Sequence, residues 1–385
     1  MKRQGVCLVG YGETPYVRAK DSHRSIPAYA ADAIRLALDN AGLGKRDIQG
    51  LAFTSMMNRD DSPYIAEQLG LELDWVLRAD YGGGSGVMAV RRAASAIQAG
   101  EIEVVVCVGA DIQEGGGPPG IQSFGRTNFV EPFGYGGPNS LFGLVERRHM
   151  ADYGTTVEAL GKLAVALRQN AALTDHALLR NPMTLEDYLG SRLISDPVRL
   201  FDCVMPCDGS AAVVVASERR ARELTDRPIY IVSDAERTNY LGRDGQPERT
   251  ESGFRDLAEP IFSVVPRDRV DFAELYDDYP VAILMQLEDL GFCEKGKGTE
   301  FIQAHDFTVR GDFPLNTGGG QLSRGQPGLA GGHLHVVEAM RQLRGEAGKN
   351  QVAKARTALV TGIGLLGYNV NIMCCAAMVL ERRAG

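Results

Sequence analysis

The chain has 385 residues, which is long enough for two hydrophobic cores, and its 44% hydrophobic and 23% charged residues are ordinary for a globular enzyme. A formal net charge of −8 disfavours a nucleic-acid-binding surface, and no apolar run approaches the roughly 18–20 residues of a membrane span. The N-terminus lacks the features of a signal peptide. The seven cysteines are odd in number and lie mostly in apolar runs, so we expect a reducing, cytoplasmic environment and no metal site.

Strand-like and helix-like patterns alternate along the first half, which predicts an α/β protein whose helices cover its sheets. The predicted strands are Gly5–Gly12, Leu51–Thr54, Val76–Ala79, Glu103–Gly109 and Ala211–Ala216. Amphipathic helices are predicted at Ser25–Ala41, which Gly42 ends, and at Gly84–Ala99. Residues 111–197 interrupt this order with a loop rich in glycine and proline and with helices predicted at Leu141–Tyr153 and Val157–Ala171. We expect this insertion to form a lid or an acyl-group pocket.

The second half repeats the alternation. Its predicted strands are Ile229–Ser233, Asp271–Tyr276, Thr357–Gly362 and Cys374–Leu380, and its predicted helices are Val281–Leu290 and His333–Arg344. In both halves a glycine turn leads into an amphipathic helix, at Gly82–Ile97 and at Ala330–Leu343, which favours two similar halves packed together. The sequence therefore predicts an N-terminal half over residues 1–220, with the insertion at about 111–197, and a C-terminal half over residues 221–385.

A glycine-rich segment in the second half carries a family resemblance. Thiolases have a loop of the form Asn-x-x-Gly-Gly-x-x-x-x-Gly-His-Pro-x-x-x-x-Gly, and residues 316–332 read NTGGGQLSRGQPGLAGG, with most of these positions in register. Segments Gly331–Val352 and Phe201–Ser217 are similar to the thiolase-like branch around sterol carrier protein x and its bacterial lipid-transfer relatives. The chain thus resembles the thiolase superfamily from about Gly5 to Leu380. This resemblance implies two similar α/β halves packed as a five-layered αβαβα core.

The catalytic residues of thiolases are replaced in this chain. The resemblance places the nucleophilic cysteine at Gly83, the histidine that activates it at Gln326, and the second cysteine at Gly362. A fourth motif falls on the segment ELYDDY, with Tyr276 at its key position. A covalent acyl-enzyme requires an activated nucleophile, so classical thiolase activity is not expected.

The remaining features of the site still support acyl-CoA chemistry. Glycine-rich turns can direct backbone N–H groups at a carbonyl oxygen, and such donors are worth a few kcal/mol each. The candidates for this role are Gly83, Gly84, Asn316, Gly319, Gly320 and Gly364. Tyr276 and Tyr368 are candidate acid/base residues, and Gln326 is a third candidate side chain. Retro-aldol cleavage of a β-hydroxyacyl-CoA fits this set because it needs a base, enolate-stabilising donors and an acid, but no covalent nucleophile.

The resemblance makes this expectation more specific. The bacterial lipid-transfer relatives include aldolases that lack the thiolase cysteines and cleave a tertiary 17-hydroxy steroid acyl-CoA to a ketone and propionyl-CoA. By resemblance, Tyr276 is the base or proton relay and Tyr368 its helper, and coenzyme A enters only as part of the substrate. Because those aldolases work with a small OB-fold acyl-CoA-binding subunit, and thiolase-like chains form dimers, a homodimer and a possible heterotetramer are implied.

Two other functions stay open at this point. Ser85 could be the nucleophile of a thiolase-like acyltransferase, although Gln326 cannot act as its base. A non-catalytic acyl-CoA- or lipid-binding subunit also fits the loss of the thiolase residues. Tyr276 and Tyr368 could each be an ordinary core tyrosine.

The charged and basic residues of the last long helix have simpler interpretations. His333 and His335 are interpreted as packing residues, because no partner lies at metal-ligand spacing. Arg341 and Arg344 are interpreted as a solvated helix face, with contact to a coenzyme A phosphate as an alternative.

Overall fold

The computed structural model describes residues 5–58, 60–113, 131–134, 137–240, 249–364, 372 and 374–383. The strands in these residues are β1 (Val6–Glu13), β2 (Gly50–Thr54), β3 (Trp75–Arg78), β4 (Val104–Asp111), β5 (Leu193–Ser195), β6 (Val198–Arg199), β7 (Gly209–Ser217), β8 (Ile229–Thr238), β9 (Phe272–Glu274), β10 (Thr357–Ile363) and β11 (Cys374–Arg382). The α-helices are α1 (Ile26–Ala41), α2 (Ser62–Leu69), α3 (Ser85–Ala99), α4 (Gly137–Tyr153), α5 (Val157–Ala172), α6 (Leu185–Leu189), α7 (Glu218–Leu224), α8 (Phe254–Ile261), α9 (Pro280–Asp289), α10 (Gly298–Ala304), α11 (Gly320–Arg324) and α12 (Gly331–Arg344). Within the same residues, no helix is long and apolar enough to cross a membrane.

The same strand arrangement occurs twice in the sheet. The strand order is β3-β2-β4-β7-β1-β8-β11-β10-β9. Outward from β1, the strands β7 and β4 pair antiparallel and β2 then pairs parallel. Outward from β8, the strands β11 and β10 pair antiparallel and β9 then pairs parallel. Among the described residues, the two half-sheets are joined by the short antiparallel pairing of Cys7 and Leu8 with Tyr230 and Ile229.

Two helices are buried between the halves. Both α3 and α12 contact strands of the first half and strands of the second half, and they also pack on each other. Their apolar residues, which include Val87, Met88, Val336 and Met340, belong to one core cluster with inward-facing residues of both half-sheets. Helix α1 covers the outer face of the first half and α8 covers that of the second. The predicted five-layered, thiolase-like α/β architecture is confirmed.

Local signals account for several element boundaries. The Ser25 side chain accepts from the Ala28 N–H at the start of α1, and Gly42, with φ of 69°, ends that helix as predicted. The insertion between β4 and β7 contains α4, α5, α6 and the β5–β6 hairpin, while residues 114–130 lie outside the described residues. The predicted division at residues 220 and 221 falls within α7 and stays a prediction.

Candidate active site

A glycine turn connects β3 to α3 at the centre of the molecule. The Ser85 hydroxyl accepts from the Tyr81 N–H at 2.8 Å and donates to the Gly82 carbonyl oxygen at 2.6 Å, so this side chain closes the turn and starts the helix. Gly86 allows α3 to cross the start of α12 closely, since a Cβ at Gly86 would lie 2.2 Å from the Gly332 carbonyl oxygen. These contacts fix the position of Gly83 between the two half-sheets.

The side chain of Tyr276 occupies the space beside Gly83. A Cβ built on Gly83 would lie 1.9 Å from both the Cζ atom and the hydroxyl oxygen of Tyr276. Non-bonded carbon atoms need about 3.5 Å, so no side chain can be present at residue 83 while this ring is in place. Tyr276 is 2% exposed, and its hydroxyl group therefore takes the place where the resemblance to thiolases puts the nucleophilic cysteine.

Tyr276 reaches this place because β9 is shorter than predicted. The predicted strand Asp271–Tyr276 was too long: β9 ends at Glu274. The reason is Asn316, whose side chain accepts from the Leu275 N–H at 2.7 Å and donates to the Leu275 carbonyl oxygen at 2.8 Å. These two bonds replace the pairing that Leu275 would make with a neighbouring strand, and the chain then leaves the sheet. Asn316 is therefore a residue that positions residues 275–279, which we call the tyrosine loop.

Gln326 links the Tyr276 hydroxyl to a carboxyl group. Its Nε2 atom donates to the Tyr276 oxygen at 3.1 Å and to Asp278 Oδ1 at 3.0 Å. Its Oε1 atom is buried and has no hydrogen-bond partner among the described residues. Burial, and after it the charge of Asp278, raises the pKa of Tyr276 well above its ordinary value. Burial, together with the neighbouring charge of Asp277, raises the pKa of Asp278 to about 7.

Behind the tyrosine loop lies a buried histidine between two carboxyl groups, an arrangement that the sequence does not reveal. The His335 Nε2 atom lies 3.1 Å from Asp277 Oδ1, and its Nδ1 atom lies 3.3 Å from Glu274 Oε2. Burial alone would lower the pKa of His335, but the neighbouring carboxyl groups of Asp277 and Glu274 raise that pKa to about 9. The interpretation of His335 as a packing residue is thus incomplete, because its ring also lies within ion-pair distance of two buried carboxyl groups beside Tyr276. His335 lies 61 residues after Glu274 in the sequence, and only the fold brings it to Glu274 and Asp277.

The candidate glycines fall into two groups in the structure. Gly84 lies next to the Gly362–Gly364 turn, where its Cβ would come 3.4 Å from the Gly364 nitrogen. The Gly364 N–H already donates to the Cys374 carbonyl oxygen at 2.6 Å. This N–H is therefore engaged in the fold, whereas the predicted donor roles of Gly83 and Gly84 stay predictions.

The second group of glycines supports Asp277. Gly319 and Gly320 have positive φ angles of 97° and 59°, and a Cβ at Gly320 would lie 2.0 Å from Asp277 Oδ2. Because that side chain is missing, Asp277 can accept from the Gln321 N–H at 2.9 Å and from the Leu322 N–H at 3.2 Å at the start of α11. The structure thus brings Tyr276, Gln326 and the Gly83 turn together, and it sets Asn316, Gly319 and Gly320 behind them as supports. Tyr368 lies outside the described residues.

The cysteines do not supply an activated nucleophile to this arrangement. Burial raises the pKa values of Cys7, Cys203 and Cys293 to about 12. Cys374 is near the site, but its Sγ atom lies 3.5 Å from the Tyr81 carbonyl oxygen, to which it donates. A nucleophilic cysteine needs a lowered pKa and access to the substrate.

The prediction of a solvated face on α12 is wrong. Arg341 pairs with Glu338 and with Glu13, and the Arg344 side chain donates to Asn40 Oδ1 at 2.6 Å. Arg344 is 5% exposed. These arginines are used inside the protein because the helix is buried on nearly all sides, so contact with a coenzyme A phosphate is not supported.

Comparison with known proteins agrees with this fold. Residues 262–376 match a family described as thiolase C-terminal domain-like. A steroid side-chain-cleaving aldolase from Thermomonospora curvata is 33% identical, over 92% of this chain and 94% of the relative. A 17-hydroxy-3-oxo-4-pregnene-20-carboxyl-CoA lyase from Mycobacterium tuberculosis is 36% identical, over 92% of this chain and 95% of the relative.

A solved structure is similar to this chain over nearly the full length of both. The Ltp2-ChsH2(DUF35) aldolase aligns with a TM-score of 0.88 and 31% identity, and the alignment covers 99% of both chains. The fold and the glycine turn at Gly83 define a thiolase-like α/β protein that lacks the thiolase cysteine. The chain belongs to the thiolase superfamily, as its sequence motifs predict.

Proposed function

We propose that this protein is a carbon–carbon lyase that cleaves a β-hydroxyacyl-CoA by a retro-aldol reaction, without a covalent enzyme intermediate. The observation that carries this proposal is the contact between Tyr276 and Gly83, which leaves room for a phenol or for a side-chain nucleophile but not for both. A group that can transfer a proton thus replaces a group that attacks carbon. The predicted class of enzyme, an aldolase of the thiolase superfamily, is confirmed by the aldolase and CoA lyase among its relatives.

The proposed reaction moves one proton and breaks one carbon–carbon bond. The β-hydroxyl group loses its proton, the Cα–Cβ bond breaks, and its electron pair forms the thioester enolate while the β-carbon becomes a ketone. The enolate then takes a proton at Cα to give the shortened acyl-CoA. In this scheme Tyr276 exchanges the proton with the substrate, Gln326 holds the phenol oxygen in place, and backbone N–H groups at Gly83 and Gly84 face the enolate oxygen.

The proposed substrate carries a bulky acyl group, with a steroid side chain as the first candidate and propionyl-CoA as the short product. Support for the steroid comes from the names of the two relatives, a steroid side-chain-cleaving aldolase and a pregnene-carboxyl-CoA lyase. Coenzyme A then enters as part of the substrate, and no other cofactor is part of this proposal. None of the seven cysteines is in a disulfide, which supports a reducing, cytoplasmic compartment.

The proposed assembly is a homodimer that also binds a small OB-fold acyl-CoA-binding subunit, giving a heterotetramer. The end position of β3 in the sheet supports the homodimer, because an edge strand can pair with the same strand of a second copy. Val76 on this strand is 38% exposed. The second component in the name Ltp2-ChsH2(DUF35) supports the additional subunit.

The acyltransferase alternative is not favoured by the geometry. Ser85 is fully buried, and its hydroxyl group is occupied by Gly82 and Tyr81 as described above. A serine nucleophile requires an adjacent base, and Gln326 is an amide. The non-catalytic alternative predicts binding without turnover and is separated from the lyase by the following experiment.

The test uses two substrates and one substitution. Purified protein, with and without the partner subunit, is incubated with a tertiary β-hydroxyacyl-CoA, or with a β-ketoacyl-CoA plus free CoA, and products are identified by mass spectrometry. We expect a ketone and a shortened acyl-CoA from the first substrate only. Tyr276→Phe should lower kcat by about 10²–10⁴-fold with little change in KM, because general acid–base catalysis contributes that much. Tyr64→Phe, at a tyrosine that is 54% exposed, is the matched control.

Each other outcome has a definite meaning. Shortened acyl-CoA from the β-ketoacyl-CoA would show that a nucleophile is active and that the proposal is wrong. Binding of both substrates without products, in the presence of the partner, would assign the chain to the binding proteins. Full activity of Tyr276→Phe would show that the Tyr276 hydroxyl group takes no part in the reaction.

A further inference from the structure

The Gln326 amide contacts two titratable side chains, Tyr276 and Asp278. Gln326 Nε2 has two hydrogens, and it directs them at the Tyr276 oxygen and at Asp278 Oδ1. The phenol hydrogen of Tyr276 is therefore free to point at another acceptor. Tyr276 is 2% exposed, whereas Asp278 is partly exposed, so Asp278 lies between the buried phenol and the surface. The Gln326 Oε1 atom is buried and has no hydrogen-bond partner among the described residues, so this amide holds Tyr276 and Asp278 through its nitrogen.

The charges around these groups favour the carboxylate as the final proton acceptor. Burial, and next the negative charge of Asp278, raises the pKa of Tyr276 well above its ordinary value, so a free phenolate is disfavoured. Burial raises the pKa of Asp278 to about 7, with a further rise from Asp277 and opposing effects from Gln326, Tyr276 and His335. Burial, and after it the charges of Cys203 and Asp278, also raises the pKa of Tyr279. A carboxyl group with this pKa takes up and releases protons readily at neutral pH.

We propose that Asp278 is the proton acceptor of this site and acts through Tyr276, an inference that rests on the lyase function proposed above. When the β-hydroxyl O–H bond breaks, its proton passes to the Tyr276 oxygen and the phenol proton passes to the Asp278 carboxylate. The Cα–Cβ bond breaks, its electron pair forms the thioester enolate, and the β-carbon becomes a ketone. The proton then returns from Asp278 through Tyr276 to Cα. Asp278 is ionised again at the end, and the cycle requires no oxidant, reductant or water.

The test is the pH profile of Asp278→Asn. Asparagine keeps an oxygen that can accept from Gln326 but cannot take up the proton. Because the acceptor must be ionised, and a carboxyl group is ionised above its pKa, the wild-type kcat should rise with pH through about 7. Asp278→Asn should lower kcat by about 100-fold or more, leave KM within about 2-fold, and abolish this rise. Asp278→Glu should restore part of both the rate and the rise. Asp226→Asn, at a carboxyl group that is 93% exposed, is the matched control.

The outcomes separate this inference from the function on which it rests. If Asp278→Asn keeps the wild-type kcat and pH profile while the wild-type protein cleaves the β-hydroxyacyl-CoA, the relay is wrong and the lyase function stands. If Asp278→Asn is slow but keeps the rise through pH 7, Asp278 has only a structural role and the relay is again wrong. If the wild-type protein with its partner cleaves no β-hydroxyacyl-CoA, both proposals fail. Where Asp278→Asn does not fold, Asp278→Glu decides, since the relay requires a shifted midpoint of the profile.

Discussion

Returning a cysteine to residue 83 should weaken the fold and should not create a nucleophile. The Cβ atom of Gly83→Cys would lie 1.9 Å from Cζ and from the hydroxyl oxygen of Tyr276, and 2.3 Å from its Cε2 atom. Since these atoms need about 3.5 Å, the ring must move by roughly 1.5 Å, and its hydrogen bond with Gln326 is then lost. Overpacking costs about 1–3 kcal/mol and the lost hydrogen bond about 1 kcal/mol, so we expect the free energy of unfolding to fall by about 2–4 kcal/mol.

Urea unfolding of a set of variants measures this effect. Tyr276→Ala removes the ring and should by itself cost about 3–5 kcal/mol as a cavity. In Gly83→Cys/Tyr276→Ala the new side chain enters that cavity, so the combined loss should be smaller than the sum of the two losses by about 2 kcal/mol. Gly83→Cys/Tyr276→Phe is the control, because phenylalanine keeps the ring carbons that clash and should give no rescue. A stable Gly83→Cys variant, or strictly additive losses with Tyr276→Ala, would refute the steric argument.

Two further predictions concern the support of the site and the assembly. His335→Gln leaves Glu274 and Asp277 buried without their cation and should cost about 3–5 kcal/mol in urea unfolding. The pKa of His335 is raised from 6.5 to about 9, so its contribution is complete below about pH 6.5 and is lost as the pH rises through 9. Wild-type stability should therefore fall over this range more steeply than that of His335→Gln, and equal slopes would contradict the charge assignment. Val76→Lys places a charge on the edge strand and should shift sedimentation from a dimer toward the 41.6 kDa monomer. An unchanged dimer would exclude β3 as the interface.

Much of the fold follows from local signals in the sequence. The helix that begins after Ser25 and ends at Gly42 is set by its cap residues and its apolar periodicity, and both are readable without the structure. The glycines at residues 319 and 320 are also readable as positions of unusual backbone conformation. What cannot be read is the end of β9, because it depends on the side chain of Asn316, 41 residues away from Leu275. Sequence periodicity carries no information about such a long-range exchange of hydrogen bonds.

The candidate site was predictable in its positions but not in its electrostatics. The motif comparison identifies Gly83, Gln326 and Tyr276. Only the structure shows that the Tyr276 ring leaves no room for a side chain at residue 83. From the sequence, His335 is interpreted as a packing residue, because its acidic partners are distant along the chain. The one available signal was the pair of acidic residues after an apolar strand, since two adjacent carboxylates near a core need a nearby cation or a proton.

The contact of Tyr276 with Gly83 also restricts how this site and a thiolase site can be interconverted. A cysteine at residue 83 requires a smaller side chain than tyrosine at residue 276, and a base for that cysteine requires the loss of the Gln326 amide. Each single change removes acid–base chemistry or packing before it adds a nucleophile. The supports behind the site, which are Asn316 and the glycines at residues 319 and 320, need not change, because they hold the loop in place. We therefore expect the lyase site and a thiolase site to have the same backbone structure and to differ in their side chains at residues 83, 276 and 326. These side chains must change together.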